Sequence, residues 1–298
     1  MMSRKISGNL LLLLTAMIWG CAFVAQSSAM DNIGPWTFTC IRSYIGAFVL
    51  FVLMPVIDRI RGITKEASGD RKTLVKGGIA CGAALMAASM FQQTGIMYTT
   101  AGKAGFLTAL YVIIVPFLSV LLGRKIPGHI WISAAAAVAG FYFLSMSGGL
   151  TIGYGDILVL ICALLFAVHI MIIDHFVPYT DGVRMSAIQF LTCAVLCTLP
   201  MLIFEKPALS SIISAAGPVI YAGAVSSGAG YTLQILGQKD ADPSVASLLL
   251  SLESVFAAVF GFLLLHEAMS LREMTGCILI FGAIIYAQLA GGKKENKE

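Results

Sequence analysis

Ten apolar stretches, each close to the length a helix needs to cross a bilayer, recur along this chain with short links between them. They run Gly8 to Ser28, Pro35 to Ile57, Gly77 to Tyr98, Ala104 to Leu122, Ile130 to Met146, Ile157 to Ile173, Met185 to Ile203, Gly217 to Leu236, Ser244 to Leu265 and Met274 to Ala290. The longest link, Asp58 to Lys76, leaves no room for a soluble catalytic or nucleic-acid-binding domain. Of 298 residues, 58% are hydrophobic and 11% charged, a balance that excludes a water-soluble domain of this size. The expected fold is an all-α polytopic membrane protein with ten transmembrane helices. Seven cysteines, an odd number without a CxxC pair, fit neither a disulfide framework nor a zinc site and are read as small core residues. The first stretch has a basic flank but is longer than a signal core and lacks a cleavage site, so it is expected to remain as the first span.

Orientation follows from the basic residues. With the N-terminus inside, the inner segments hold 15 of the 19 Lys and Arg and the outer links hold three, Lys103, Lys206 and Arg272, while Arg42 lies within a span. Both termini are therefore expected in the cytoplasm of a bacterial cell whose inner membrane the chain spans many times. The net charge of +4 arises in the cytoplasmic loops and calls for no nucleic acid.

The two halves are weakly alike. At an offset of 142 residues Gln92 meets Gln234, Ala104 meets Ala246 and Leu110 meets Leu252, and at 147 Trp19 meets Phe166. The stripe Cys81, Ala84, Ala88, Gln92 in the third span is matched by Gly223, Ser227, Gly230, Gln234 in the eighth. Five spans per half is an odd number, so the second half enters the membrane from the opposite side, as in the inverted repeats of many secondary transporters.

The ninth span carries an acid at its middle. Asp242 suits a helix cap and Pro243 the first turn. Ten residues on, Glu253 lies about 15 Å deep, half of a roughly 30 Å hydrocarbon core. Ser244, Ser247, Ser251, Ser254, Ala258 and Gly261 form a seam of small side chains that lets a neighbouring backbone come close. Glu253 falls on another face, beside Phe256 and Phe260, as expected of a cavity wall. An ionised group at this depth costs a few kcal/mol, so Glu253 must be protonated, paired or hydrated. Proton coupling, binding of a substrate cation and a structural hydrogen bond all answer that need.

The WG pair Trp19 and Gly20, Arg42, the stretch AGKAGFLTALYVIIVPFLSVLLGRK from Ala101 to Lys125, and SLLLSLESVFAAVFGFLLLHE with GCILIFGAIIY resemble the two EamA repeats of the drug/metabolite transporter superfamily. The likeness covers nearly the whole chain. It implies two inverted five-helix repeats, a central cavity between them, peripheral fifth and tenth helices, and alternating access that exports or exchanges small metabolites. The repeats would occupy residues 1–148 and 149–292, followed by a cytoplasmic tail, 293–298. The family often has Pro after the ninth-span glutamate and Gly before the acid that closes that helix. Here Ser254 and His266 stand in those places, so the usual source of a kink is missing.

Candidate substrate-binding or coupling residues are Glu253, Trp19, Gln26, Arg42, Gln92, Tyr111, His169 and Gln234. Trp19 and Gln26 share a helix face and can offer a stacking surface and a hydrogen-bonding tip. Arg42 lies about seven residues from the outer end of its span, where an anchor or ion-pair partner is the first reading. Facing a cavity, it would instead favour a carboxylate or phosphate. Gln92 and Gln234 end the matched stripes and need partners in hydrocarbon. Tyr111 occupies the position corresponding to Glu253 in the first half. His169 suits a proton relay or a satisfied core position. His266 and Glu267 are expected at the outer end of the ninth helix, with Glu267 near Arg272.

The reading is a secondary transporter of small organic metabolites, with a zwitterion such as an amino acid favoured over a polyanion. No catalytic residue, metal or cofactor is expected. Expected partners are a small-molecule substrate and the lipid bilayer, with proton coupling and a homodimer as further options. The rival readings are a channel and an intramembrane enzyme. GYGD, Gly153 to Asp156, has the G-x-G-D form of intramembrane aspartyl proteases, but Asp156 is placed to cap the sixth span and the next acid, Asp174, is roughly 27 Å along the helix.

Overall fold

The structure, a computed structural model, describes residues 2–61, 70–99, 101–145, 152–265 and 270–295. The helices are α1 (Met2–Met30), α2 (Pro35–Arg61), α3 (Arg71–Ile96), α4 (Ala101–Ala109), α5 (Tyr111–Leu121), α6 (Gly128–Ser145), α7 (Tyr154–Phe176) and α8 (Gly182–Pro200). They continue with α9 (Leu209–Ser214), α10 (Ala216–Ile220), α11 (Thr232–Gln238), α12 (Pro243–Leu250), α13 (Glu253–Leu265) and α14 (Leu271–Glu295). Two π-helical segments, Met201–Glu205 and Tyr221–Tyr231, extend α8 and join α10 to α11. Among the described residues there is no β-strand. Joined across their breaks, these elements make rods, and seven rods among the described residues are long and apolar enough to cross a membrane.

The rods outrun the apolar stretches because polar residues cap their ends. Asp70 accepts the amides of Lys72 and Thr73, Asp181 that of Arg184, and Asp242 that of Ser244 with Pro243 following. Thr73, through its hydroxyl and its amide, holds the Asp70 carboxyl below the usual range.

Two rods break in the middle at equivalent places, Leu110 between α4 and α5 and Ser251–Leu252 between α12 and α13. In the first, Pro116 withholds the amide that would close the turn beginning at Val112. In the second the one proline, Pro243, stands in the first turn of α12, eight residues before the break. Ser247 Oγ bonds the Ser244 carbonyl and Ser251 Oγ the Leu248 carbonyl at 2.7 Å, so hydroxyls compete with the i→i−4 ladder. The serine seam thus supplies the kink that the missing proline would have given. Ser254 also faces the neighbouring backbone, its hydroxyl 3.4 Å from the Gly105 carbonyl on α4.

The packing is two-fold throughout. α1 lies along the segment Tyr221–Tyr231 and α11 as α7 lies along α3, and α1 meets α12 and α13 as α7 meets α5 and α4. α2 pairs with α8, and α6 with α14. Neither α6 nor α14 lines the central cavity.

Two glycine pairs mark the ends of this arrangement. A Cβ on Gly8 of α1 would lie 2.9 Å from the Gly237 carbonyl oxygen of α11, and one on Gly155 of α7 would lie 2.8 Å from the Gly95 carbonyl oxygen of α3. Gly8 corresponds to Gly155 at the offset of 147, and Gly95 to Gly237 at 142. Successive rods run antiparallel, so the Gly8–Gly237 contact lies at the end of the bundle that holds the N-terminus and the other contact at the far end. A pair of carboxylates follows the same symmetry. At the far end Glu205 accepts the amides of Trp36 and Thr37 at 2.8 and 2.7 Å, clasping the start of α2. At the N-terminal end its counterpart Asp58 takes both guanidinium nitrogens of Arg184, at 2.7 and 3.1 Å.

Candidate functional site

A cavity with about 490 Å³ of non-atom space, including its open mouth, lies between the two halves. Its walls repeat the internal symmetry. Trp19 and Phe23 of α1 face it with their counterparts Phe166 and Ile170 of α7. Gln92 and Gln234 both line it, as do Thr108 and Leu250, and Tyr111 and Glu253. Gln26, Arg42, Ser226 and Tyr231 line it without a symmetric partner in the wall, so the polarity of the cavity departs from the symmetry of the fold.

The breaks in the two kinked rods set Tyr111 and Glu253 in place. Each is the first residue of a half-helix, α5 or α13, and the Tyr111 hydroxyl donates to Glu253 Oε1 at 3.3 Å. Glu253 is 5% exposed. Gly20 brings α1 against this turn, since a Cβ there would meet the Phe256 side chain and the Glu253 carbonyl. The WG pair therefore has two separate tasks: Gly20 permits the contact and Trp19 faces the cavity.

Arg42 departs from its first reading. It does not reach for the interface: it is 4% exposed, lines the cavity, and makes no ion pair with any described residue. Nη2 donates to Ser89 Oγ at 2.9 Å, the guanidinium lies 5.1 Å from the Phe38 ring centroid, and Nε is buried without a partner. Beside it α2 packs closely on the segment Tyr221–Tyr231, where a Cβ on Gly223 would strike the Ile45 side chain and the Arg42 carbonyl.

The glutamines differ. Gln92 Nε2 is 3.4 Å from Thr108 Oγ1, Gln26 Oε1 accepts from Gln93, and Gln234 Oε1 is buried with no partner. Trp19 Nε1 donates to the Ser226 carbonyl at 3.4 Å, and its ring sits 4.5 Å from that of Tyr231. His169 does not line the cavity. It is fully buried behind Tyr231, with Nε2 2.8 Å from Gln189 Oε1 and its ring edge-on to the tyrosine at 6.0 Å. It therefore stands one residue behind the cavity wall, packed against Tyr231.

Several wall residues escaped the sequence reading. The offsets applied to Phe23 and Thr108 point to Ile170 and Leu250, and Tyr231 is three residues, one helical turn, before Gln234. The π-helical turns that bring Ser226 inward leave no such signal in an apolar, glycine-rich stretch. His266 and Glu267 lie outside the described residues.

Among the described residues no group of three or more His, Cys, Asp or Glu side chains is arranged to hold a metal. The acids of the protease-like reading are engaged elsewhere. Asp156 accepts the Gly153 amide and the Thr99 hydroxyl, each at 2.7 Å, at the start of α7. Asp174, at its other end, pairs with Arg124 at 2.5 Å. Asp156 therefore caps α7 from its first turn, its carboxylate reaching back to the amide of the N-cap residue Gly153.

Comparison with known proteins gives the same picture. A crystal structure superposes with a TM-score of 0.78 over 95% of this chain and 96% of that one, at 21% identity, which places the fold. A protein of Archaeoglobus fulgidus named "Uncharacterized transporter" is 29% identical over 287 residues, 96% of this chain and 87% of its own. "Uncharacterized transporter YoaV" of Bacillus subtilis is 24% identical over 270 residues, covering 89% and 90% of the two chains. The model of the EamA-like transporter family matches twice, at residues 6–146 and 153–287, one match to each half of the two-fold packing. A cavity walled by matched residues of two such repeats is where a transporter would hold its cargo, and the chain belongs to the EamA-like transporter family, as a membrane-embedded, multi-pass protein.

Proposed function

We propose that the protein is a secondary carrier that moves small organic metabolites, zwitterions such as amino acids before polyanions, by alternating access between its halves. Its ten rods each cross the inner membrane, with both termini in the cytoplasm. Export or exchange as the direction rests on likeness to the family. One observation carries the reading: the cavity lies at the two-fold seam, walled by residue pairs that match between the halves, with close helix contacts on both sides of it. A continuous pore needs no such pair of closures; a carrier does. A cation, Arg42, and an acid, Glu253, line the space without pairing to one another, which favours a ligand with one acidic and one amino group over one carrying several negative charges.

The test is counterflow in proteoliposomes against a panel of amino acids, amines, organic acids and phosphorylated metabolites. Exchange of an amino acid against itself is the expected result. Transport restricted to phosphorylated compounds would remove the zwitterion assignment, and absence of counterflow for every compound would remove the carrier.

A further inference from the structure

We infer that Arg42 is the residue that binds a carboxylate group of the cargo, so that a free carboxylate is required for recognition. This deepens the carrier reading and rests on it for the word cargo, but the binding site itself stands on its own observations. A guanidinium cannot shed its proton, so burial leaves it charged. In most proteins such a group is paired, because a buried charge without a counter-charge costs several kcal/mol. Here it has one neutral hydroxyl partner, Ser89, and one aromatic face, Phe38. Its Nε donor is buried with nothing to accept from it, and Nη1 has no partner among the described residues. The side chain borders open space in the cavity and no described carboxylate comes within ion-pair distance.

The partner that fits is an anion with two acceptor oxygens near one another, because Ser89 takes only one of the two Nη2 hydrogens and Nη1 is open, which leaves one parallel N–H pair on the planar group. A carboxylate matches the single positive charge of Arg42, the one Lys or Arg among the described residues that line the cavity, whereas a phosphate dianion would bring a second negative charge with no cation to meet it. The cation–π contact and Ser89 hold the fork in place before the ligand arrives, which lowers the ordering cost of binding.

The experiment uses the purified full-length protein in nanodiscs. Thermal stability is recorded with the twenty standard amino acids, each beside its carboxamide, which keeps the amine and side chain but lacks the charged oxygens. Inorganic phosphate and acetate serve as further probes. At least one free amino acid is expected to stabilise the wild type while its amide does so about 10- to 100-fold more weakly by apparent affinity, the loss expected of a charge-assisted hydrogen-bond pair. Arg42→Gln should abolish the difference between acid and amide, and Arg42→Lys should restore part of it, as a point charge without the fork. Gel filtration confirms that each variant folds.

Equal stabilisation by acids and amides would overturn the assignment, as would unchanged discrimination in folded Arg42→Gln. No stabilisation by any carboxylate, or stabilisation by phosphate alone, would also overturn it. Recovery of wild-type acid-over-amide preference in the double variant Arg42→Gln, Glu253→Gln would show that the two side chains serve only each other. Counterflow separates the two readings. Transport of a compound with no carboxylate would keep the carrier and refute the Arg42 role, while carboxylate binding without counterflow would keep the site and refute the carrier.

Discussion

Substituting either member of a glycine pair should open one end of the cavity and leave the other closed. At the N-terminal end a Cβ on Gly237 would lie 2.8 Å from the Gly8 carbonyl oxygen and 2.8 Å from Leu12 Cγ. The leucine tip can turn aside, but the carbonyl is fixed in its helix, so α1 and α11 must part by about 0.5 Å to regain ordinary contact. Overpacking of this kind costs about 1–3 kcal/mol. Alanine also gains up to about 1 kcal/mol of helix propensity over glycine. That gain is present whether the end is open or closed, so it cancels, and the whole overpacking cost falls on the closed state. Gly237→Ala should therefore shift the open-to-closed ratio at that end about 5- to 150-fold.

Leu12 and its counterpart Val159 are fully buried beside the two contacts and serve as reporters. In a background without the native cysteines, Leu12→Cys should react faster with a water-soluble thiol reagent when Gly237→Ala is present, while Val159→Cys reacts no faster or more slowly. Gly95→Ala should do the opposite, since its Cβ would lie 3.0 Å from the Gly155 carbonyl oxygen. Equal acceleration of both reporters by each variant would mean general loosening and refute the two-gate reasoning, as would no change in either. Gln92 and Gln234 sit one helical turn before Gly95 and Gly237, which gives cargo in the cavity a short path to each end.

Three further outcomes are expected. Glu253→Gln keeps an acceptor for the Tyr111 hydroxyl but cannot titrate, so a proton-coupled carrier should retain substrate exchange and lose the dependence of net flux on a pH gradient; pH-driven flux equal to wild type in well-folded protein rules out coupling through Glu253. Glu205→Ala should lower stability by about 0.5–2 kcal/mol, as for loss of a helix cap, because three donors of α2 lose their acceptor. Asp58→Ala leaves Arg184 a second partner, Asp181 at 3.5 Å, and should cost no more than about 1 kcal/mol; thermal unfolding of both variants in the same detergent would contradict this ranking if Asp58→Ala were the more damaging. Single cysteines at Ser68 and Asn296 should resist an impermeant thiol reagent added outside intact cells, and labelling of both would invert the proposed orientation.

Much of the architecture was written in periodicities that survive without coordinates. Membrane-length apolar stretches, Asp-capped helix starts and offsets of 142 and 147 are local or arithmetic features, and they foretell helices, a repeat, and the correspondence of Tyr111 with Glu253, though not the hydrogen bond between them. The acid announces itself because an ionisable side chain at that depth is costly enough to demand a reason. Tertiary structure alone decided what surrounds these residues. Arg42 stands near enough to the end of its helix to snorkel, yet in the fold it is buried in the cavity wall beside Ser89 and Phe38 with no described carboxylate to pair it. His169 could be read as a relay or as a satisfied core residue, and only the fold sets it behind the wall, between Tyr231 and Gln189. The kink before Glu253 needed no proline once serine hydroxyls could take the carbonyls of their own turn. The difference is physical: hydropathy and helical period act between residues close in sequence, whereas the partner of a buried charge and the contact across a glycine depend on helices that meet from opposite halves of the chain.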